Sequence, residues 1–581
     1  MAVSAPRRLP RSWARASRRR ATPPTWCGSR LAISSEAPEL LPPTASFERL
    51  ALNRITFGAR EADMKDVRDR GWAVWVAEQL APPPGDEEAI IDRLARQTMR
   101  IAYAVQLPAG NSPGWPAVDE RRRLNYLRAD IATIWDMVGK TEISIAPNER
   151  ARIQQELNAA TWVRNTHAHY QVREFMADFW SNHFNVGRQE DVYAAAALAV
   201  YDLEVIRPRV FGNFRDLLEE VAKSAAMMRY LNNAVSGAAA PTENYARELL
   251  ELHTLGASVY RGLSGAARGA GADVVSIDGL EVASGFTDAD VVQAARALSG
   301  WTIEHGQPGP SAALPFTGRF IYNPLQHHAG SGAFMGVDLA PLRAPMAQGR
   351  KILDIVAAHP ATAAFVCGKL CRHIFGDSPP PSVVERAIFA WTANRHRPDH
   401  IKRVLLAILL GDDQSGRDMA AAPVKLRRPL ERMIALFRST DTNVNLFDRA
   451  ADALVSLGDG LYAWPTPEGR PDSNAGWLSA AAALRFWNLM FDVMDHPAFT
   501  TSFAAQTPKE AFASPETVIE HWVGRMVGHA LRPEAMKVLI EDVLTPFGVM
   551  AAHRSGGIAN IEKALRRLAV LIATSPEFAL R

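Results

Sequence analysis

Glu243-Asn244-Tyr245-Ala246-Arg247-Glu248-Leu249-Leu250-Glu251-Leu252-His253-Thr254-Leu255-Gly256 decides the fold class. With Glu243 at 0° and 100° added per residue, Thr254, Arg247, Glu251, Asn244 and Glu248 fall between about 20° and 140°, and Tyr245, Leu249, Leu252 and Leu250 fall opposite. The stretch is a helix with one densely ionic face and one apolar face. The same period runs through nearly the whole chain, and alternating strand patterns are scarce. Upstream, Ser46 caps a helix through Phe47, Leu50, Ala51 and Ile55 that stops at Gly58; helical stretches follow around 61–80, 87–105, 118–139, 147–163, 170–184, 192–206 and 211–231. Downstream they resume from about 347 and recur to about 574, including 443–457.

Three regions break the period. Residues 257–285 are rich in Gly, Ala and Ser and read as a long exposed loop or insertion; 301–345 is irregular, with an alternating piece at Arg319 to Tyr322 that predicts a small hairpin; Tyr462 to Asn474 holds three prolines and reads as a loop. The expectation is a mainly α protein, a large irregular helical domain in two lobes with at most a small β-hairpin. An Arg-rich disordered tail (1–45) precedes an N-terminal helical lobe (46–300), the irregular region (301–345) and a C-terminal helical lobe (346–581).

Apolar residues make up 48% of the 581 and charged residues 22%, which excludes collagen-like, wholly disordered and disulfide-scaffold classes. Residues 1–35 hold eight arginines and no Asp, Glu or Lys, so the other 57 basic residues face all 62 acidic ones and the body is mildly acidic, at −5. The basic balance belongs to the tail and gives no support for a nucleic-acid groove. The longest apolar runs fall well short of the roughly 18 to 20 residues of a membrane span. The tail lacks the apolar core of a secretory signal. Cys367 and Cys371, four apart on one helix face, read as buried free thiols.

Several segments together resemble the bacterial family labelled domain of unknown function 1800. They are Leu52 to Gly58, Phe179-Trp180-Ser181-Asn182-His183-Phe184, Tyr230 to Asn233 with Glu243 to Gly256, Asp290 to Val292 with Ala294 to Trp301, His359 to Ala363 with Lys369-Leu370, and Arg428-Pro429 with Glu431. The resemblance covers about residues 46–575. It implies a bacterial origin, a large helical domain, frequent export and a partner of the family labelled domain of unknown function 1501; it implies no known reaction. Two departures stand out: the glycine-rich stretch between Gly256 and Phe286, and His327-His328 where the family tends to show a His-Asp pair with a later Lys.

The candidate site residues are His183, Glu243, Arg247 and Glu248. Glu243, Arg247 and Glu251 lie at i, i+4 and i+8, so one guanidinium can bridge two carboxylates. On an exposed face that is an ordinary salt-bridged helix; in a cleft, two carboxylates and a guanidinium bind a divalent metal or polarise a substrate. His183 falls in the middle of an aromatic face formed by Phe175, Phe179, Met176 and Trp180, so it needs a hydrogen-bond partner. The expectation is that Glu243 or Glu248 reaches the imidazole, raises its pKa and is held by Arg247. His253, where family members often carry Phe, reads as a core histidine. Two functions stay open: a metal-assisted hydrolase or oxidoreductase acting on an extracytoplasmic polymer or its fragments, and a non-catalytic assembly or binding protein working with a partner. His-Glu-x-x-His, Cys-x-x-Cys, phosphate-loop and dinucleotide motifs are absent from the sequence.

Overall fold

The computed structural model describes residues 44–581 except 141–144, 188–190, 263–272, 329, 331, 422–423, 446–453 and 556. The Arg-rich tail lies outside the described residues. Ser46 caps α1 (Phe47–Ile55) by accepting from the Arg49 amide, as the sequence predicts. Gly58, at φ +136°, follows, and a Cβ there would lie 2.8 Å from the Ala435 Cα. Only glycine tolerates both that dihedral and that approach. Arg54 donates to the carbonyls of Met419 and Ala421, and Arg581 donates to the Arg54 carbonyl at 2.8 Å. The first helix is thus locked onto the last residues, and 41–581 form one compact unit.

The protein is mainly α, and every sheet among the described residues is a two-stranded antiparallel pair. The helices that carry the argument below are α2 (Pro147–His167), α3 (Gln171–His183), α4 (Glu243–Glu248) with a π-helical turn Leu249–His253, and α5 (Asp288–Leu298). In the second half they are α6 (Ala347–Ala358), α7 (Pro360–Phe375), α8 (Pro381–Asn394), α9 (His400–Leu410) and α10 (Pro429–Ser439). No single helix among the described residues is long and apolar enough to cross a membrane; α6 and α7 pass that test together but are bent by 60°.

Hairpins correct the sequence reading in two places, one read as helix and one read as loop. Residues predicted helical at the end of 87–105 and the start of 118–139 are β1 (Thr98–Tyr103) and β2 (Val118–Arg123), paired antiparallel. Met99 and Ile101 alternate inward with Arg100 outward, and Arg100 reaches Asp119 across the pair at 2.8 Å. Inside the glycine-rich stretch, β3 (Val274–Ile277) and β4 (Leu280–Ala283) flank Asp278-Gly279, both at positive φ, the geometry of a tight two-residue hairpin turn. The predicted hairpin of the irregular region is present as β5 (Trp301–His305) and β6 (Phe316–Tyr322).

Candidate functional site

Helix α3 has one aromatic face and one acidic face, and the acidic face organises the centre of the molecule. Glu174 is fully buried and takes both guanidinium nitrogens of Arg207, at 3.0 and 2.7 Å, and Arg173 at 3.2 Å. Arg207 also holds Asp202 at 2.8 Å, and Arg164 on α2 pairs with Asp86 through two bonds of 2.8 and 2.7 Å. One turn on, Asp178 accepts from Arg428 at 2.7 Å and from Arg470 at 2.8 Å. Arg428 continues to Asp459 at 2.9 Å, and Glu431 accepts from Arg581 at 3.0 Å. Lys425 pairs with Asp472, the same carboxylate that His373 meets at 3.4 Å.

Burial alone would push the Glu174 and Asp178 carboxyls up. The arginines around them outweigh it and hold both below the usual range. Between these two knots lies a cavity of about 30 Å³, lined by Glu174, Asp178, Asn182, Asp202, Tyr462 and Arg470. That volume holds a water molecule and little else. The Asn182 amide closes it on one side, accepting from the Arg470 amide at 2.7 Å and donating to the Arg470 carbonyl at 3.2 Å. The arrangement is a charge-balanced frame tying α2, α3, α10 and the loop after Asp459 together.

The residues singled out by sequence lie on two separate faces. Arg247 bridges Glu243 at 3.5 Å and Glu251 at 3.3 Å, as the spacing predicts, and adds Asp288 on α5 at 3.2 Å. Asp288 also accepts from the Tyr260 hydroxyl at 2.8 Å. This face is half open to solvent, with the Glu243 side chain 50% exposed. Glu248 is half-buried; burial pushes its carboxyl up, and Glu251 and Glu468 add to the effect.

His183 does not join them. It is 1% exposed, and its Nε2 donates to the backbone carbonyl of His253 at 3.1 Å, while its Nδ1 has no partner. Among the described residues it makes no hydrogen bond or ion pair to Glu243, Arg247 or Glu248. The expected carboxylate contact is therefore corrected to a helix cap: the last carbonyls of a helical turn lack internal donors, and the imidazole supplies one. The predicted direction of its pKa reverses too. Burial, then Lys369 and His253, drive it well below the ordinary histidine value. His253 is a core residue, as expected, with both ring nitrogens unpartnered. Cys367 and Cys371 are buried free thiols, and burial raises both, Cys371 to about 12.

Sequence reasoning passed over Lys369, although Lys369-Leu370 stands among the segments that carry the resemblance. It lies on α7 one turn after Phe365, with its ammonium nitrogen 5.5 Å from the centre of the Phe365 ring. The His183 ring lies tilted against the same ring, its centre 6.3 Å away. Among the described residues Lys369 has no carboxylate within ion-pairing distance and no hydrogen-bond partner. Burial lowers its pKa to about 8, against a weaker pull from Asp472 and with a push from Arg372. The other residues missed were Glu174, Asp178 and Arg470. The signal was available in Arg428-Pro429 and in the acidic positions of α3, but their partners lie far along the chain.

An irregular, mainly helical body built around a buried ionic frame, with no grouping of three or more His, Cys, Asp or Glu side chains placed to hold a metal among the described residues, is the class defined so far. The chain belongs to the DUF1800 family of proteins of unknown function, whose model matches residues 50–580. No curated protein and no solved structure matches it.

Proposed function

We propose that this protein is a non-catalytic binding or assembly protein, whose ionic residues are structural and whose surfaces engage a partner. The observation that carries the reading is the engagement of Arg247: Glu243, Glu251 and Asp288 all spend their charge on it, joining α4 to α5 instead of lining a cleft. A metal-assisted reaction at His183 draws no support from its surroundings. The strongest charge acting on the imidazole is the cation Lys369, which opposes a metal ion. A protein of the family labelled domain of unknown function 1501, implied by the resemblance, is the first partner to try. The reading is tested by metal analysis of the purified chain and by a double-mutant cycle. His183→Ala and Arg247→Ala should destabilise additively, within about 0.5 kcal/mol, because they share no partner. Stoichiometric metal that disappears with His183→Ala would overturn the reading.

A second reading, an enzyme, is favoured by Lys369 alone. A half-buried amine without a counter-ion and with a lowered pKa is partly unprotonated near neutral pH, the condition for an amine base or nucleophile.

A further inference from the structure

The β3–β4 hairpin builds a wall. The β3–β4 hairpin lies against α6 and the turn between α8 and α9, and its tip is pinned there: the Asp278 carboxylate takes Arg395 and, at 3.0 Å, His396. Beneath it is a cavity of about 320 Å³. That is the lower end of the range for small-molecule sites, roughly 300 to 1,000 Å³, and too small for a polymer segment or a dinucleotide.

Its walls have a definite chemistry. Phe214, Ile277, Leu280, Ile355, Ala357 and Ala358 supply apolar surface. The charged side chains at its edge are mostly spent: Arg215 on Asp354 at 2.6 Å and on Glu219 at 2.9 Å, Arg395 and His396 on Asp278. His400, 1% exposed, donates from Nε2 to the Trp391 carbonyl at 3.0 Å, and burial lowers its pKa to about 4, so it is neutral at pH 7. Lys351 differs from these: it lines the cavity and, among the described residues, has no carboxylate partner. One uncompensated cation beside an apolar chamber selects one anionic group on an apolar body.

We propose that this cavity binds a small apolar monocarboxylate, its chain against Phe214, Ile277, Leu280 and Ile355 and its carboxylate at Lys351. The site is separate from the Arg247 face, so it stands whether or not the binding or assembly reading holds. The hairpin supplies two of the apolar walls, Ile277 and Leu280.

Octanoate is the probe, titrated calorimetrically into the full chain. Saturable binding of one octanoate per chain is expected. Lys351→Gln should weaken it about tenfold, equivalent to about 1.4 kcal/mol, and octanol should bind the unaltered protein as weakly as octanoate binds that variant. Ala358→Phe should abolish binding by filling the chamber. No saturable binding, octanol binding as tightly as octanoate, or undiminished binding in either variant overturns the proposal. If Ala358→Phe fails to fold, Lys351→Gln, an edge substitution that removes no packing, decides alone.

Discussion

Replacing His253 with Phe is expected to change the protein's response to acid. The imidazole is fully buried, within 5.1 Å of the Phe184 ring, and neither nitrogen has a partner. Burial, with Lys369 adding to it, lowers its pKa to about 3. His167 is lowered to about 3 and His400 to about 4, both chiefly by burial, and His183 falls well below its ordinary value. In the unfolded chain all four return to about 6.5. Below that pH the unfolded state binds protons that the folded state refuses, so stability falls as pH falls, until the folded pKa values are reached. Each such histidine contributes a slope of about 1.4 kcal/mol per pH unit. Four together give roughly 5 kcal/mol per unit around pH 5, a large part of a typical total of about 5 to 15 kcal/mol. Glu174, Asp178 and Asp86 of the frame do not contribute in this window. Their folded values are depressed, that of Asp86 to about 2, where the Arg164 pair outweighs burial. Their stabilisation is complete above the unfolded carboxylate value of about 4 and is lost only below it. His253→Phe should therefore reduce the slope by about 1.4 kcal/mol per pH unit and, by removing two orphaned nitrogens, leave stability at pH 7 equal or higher. Urea unfolding followed by tryptophan fluorescence at pH 7, 6 and 5 measures both quantities. Equal slopes for variant and unaltered protein, or a flat profile between pH 7 and 5, would refute the reasoning.

The two ionic faces should differ sharply in worth. Asp178→Ala leaves Arg428 and Arg470 buried with one carboxylate fewer and should cost about 3 to 5 kcal/mol, whereas Glu243→Ala, on the half-open face, should cost no more than about 0.5; chemical denaturation giving similar costs for both would show that the frame is not what holds the centre. Lys369 should titrate near pH 8 when its methylated amine is followed by carbon NMR, below the free-lysine value of about 10.4. A Lys369 value in the ordinary range would remove the support for the enzyme reading.

The helical class was legible because a period of 3.6 needs only local residues to show itself. α1, with its Ser46 cap and Gly58 stop, and α4, with its Glu243-Arg247-Glu251 ladder, appear where the sequence places them. The β3–β4 hairpin was legible too but was masked by composition. Val274-Val275-Ser276-Ile277 followed by Asp278-Gly279 is a strong hairpin signal, and the surrounding glycines drew the reading toward a loop. The β1–β2 pair was harder: fourteen residues, Ala104 to Ala117, separate the strands, so no tight turn announces it.

The site was less legible, for a reason visible in α3. A helical wheel reports which residues share a face and says nothing about what meets that face. For His183 the wheel places the imidazole among aromatic rings, correctly, and leaves its hydrogen-bond partner open. The structure satisfies the same need with a backbone carbonyl, which every residue carries and no sequence pattern marks. For Asp178 the counter-ions stand 250 and 292 positions away, at Arg428 and Arg470. A buried carboxylate in a folded chain still demands partners, so an acid at a position flanked by apolar residues, as Asp178 is between Ala177 and Phe179, points to distant arginines. That rule selects Asp178 over Glu243, whose neighbours in sequence are polar on both sides, and it is the buried acid, rather than the denser but solvent-facing ladder, that holds the two halves of the chain together.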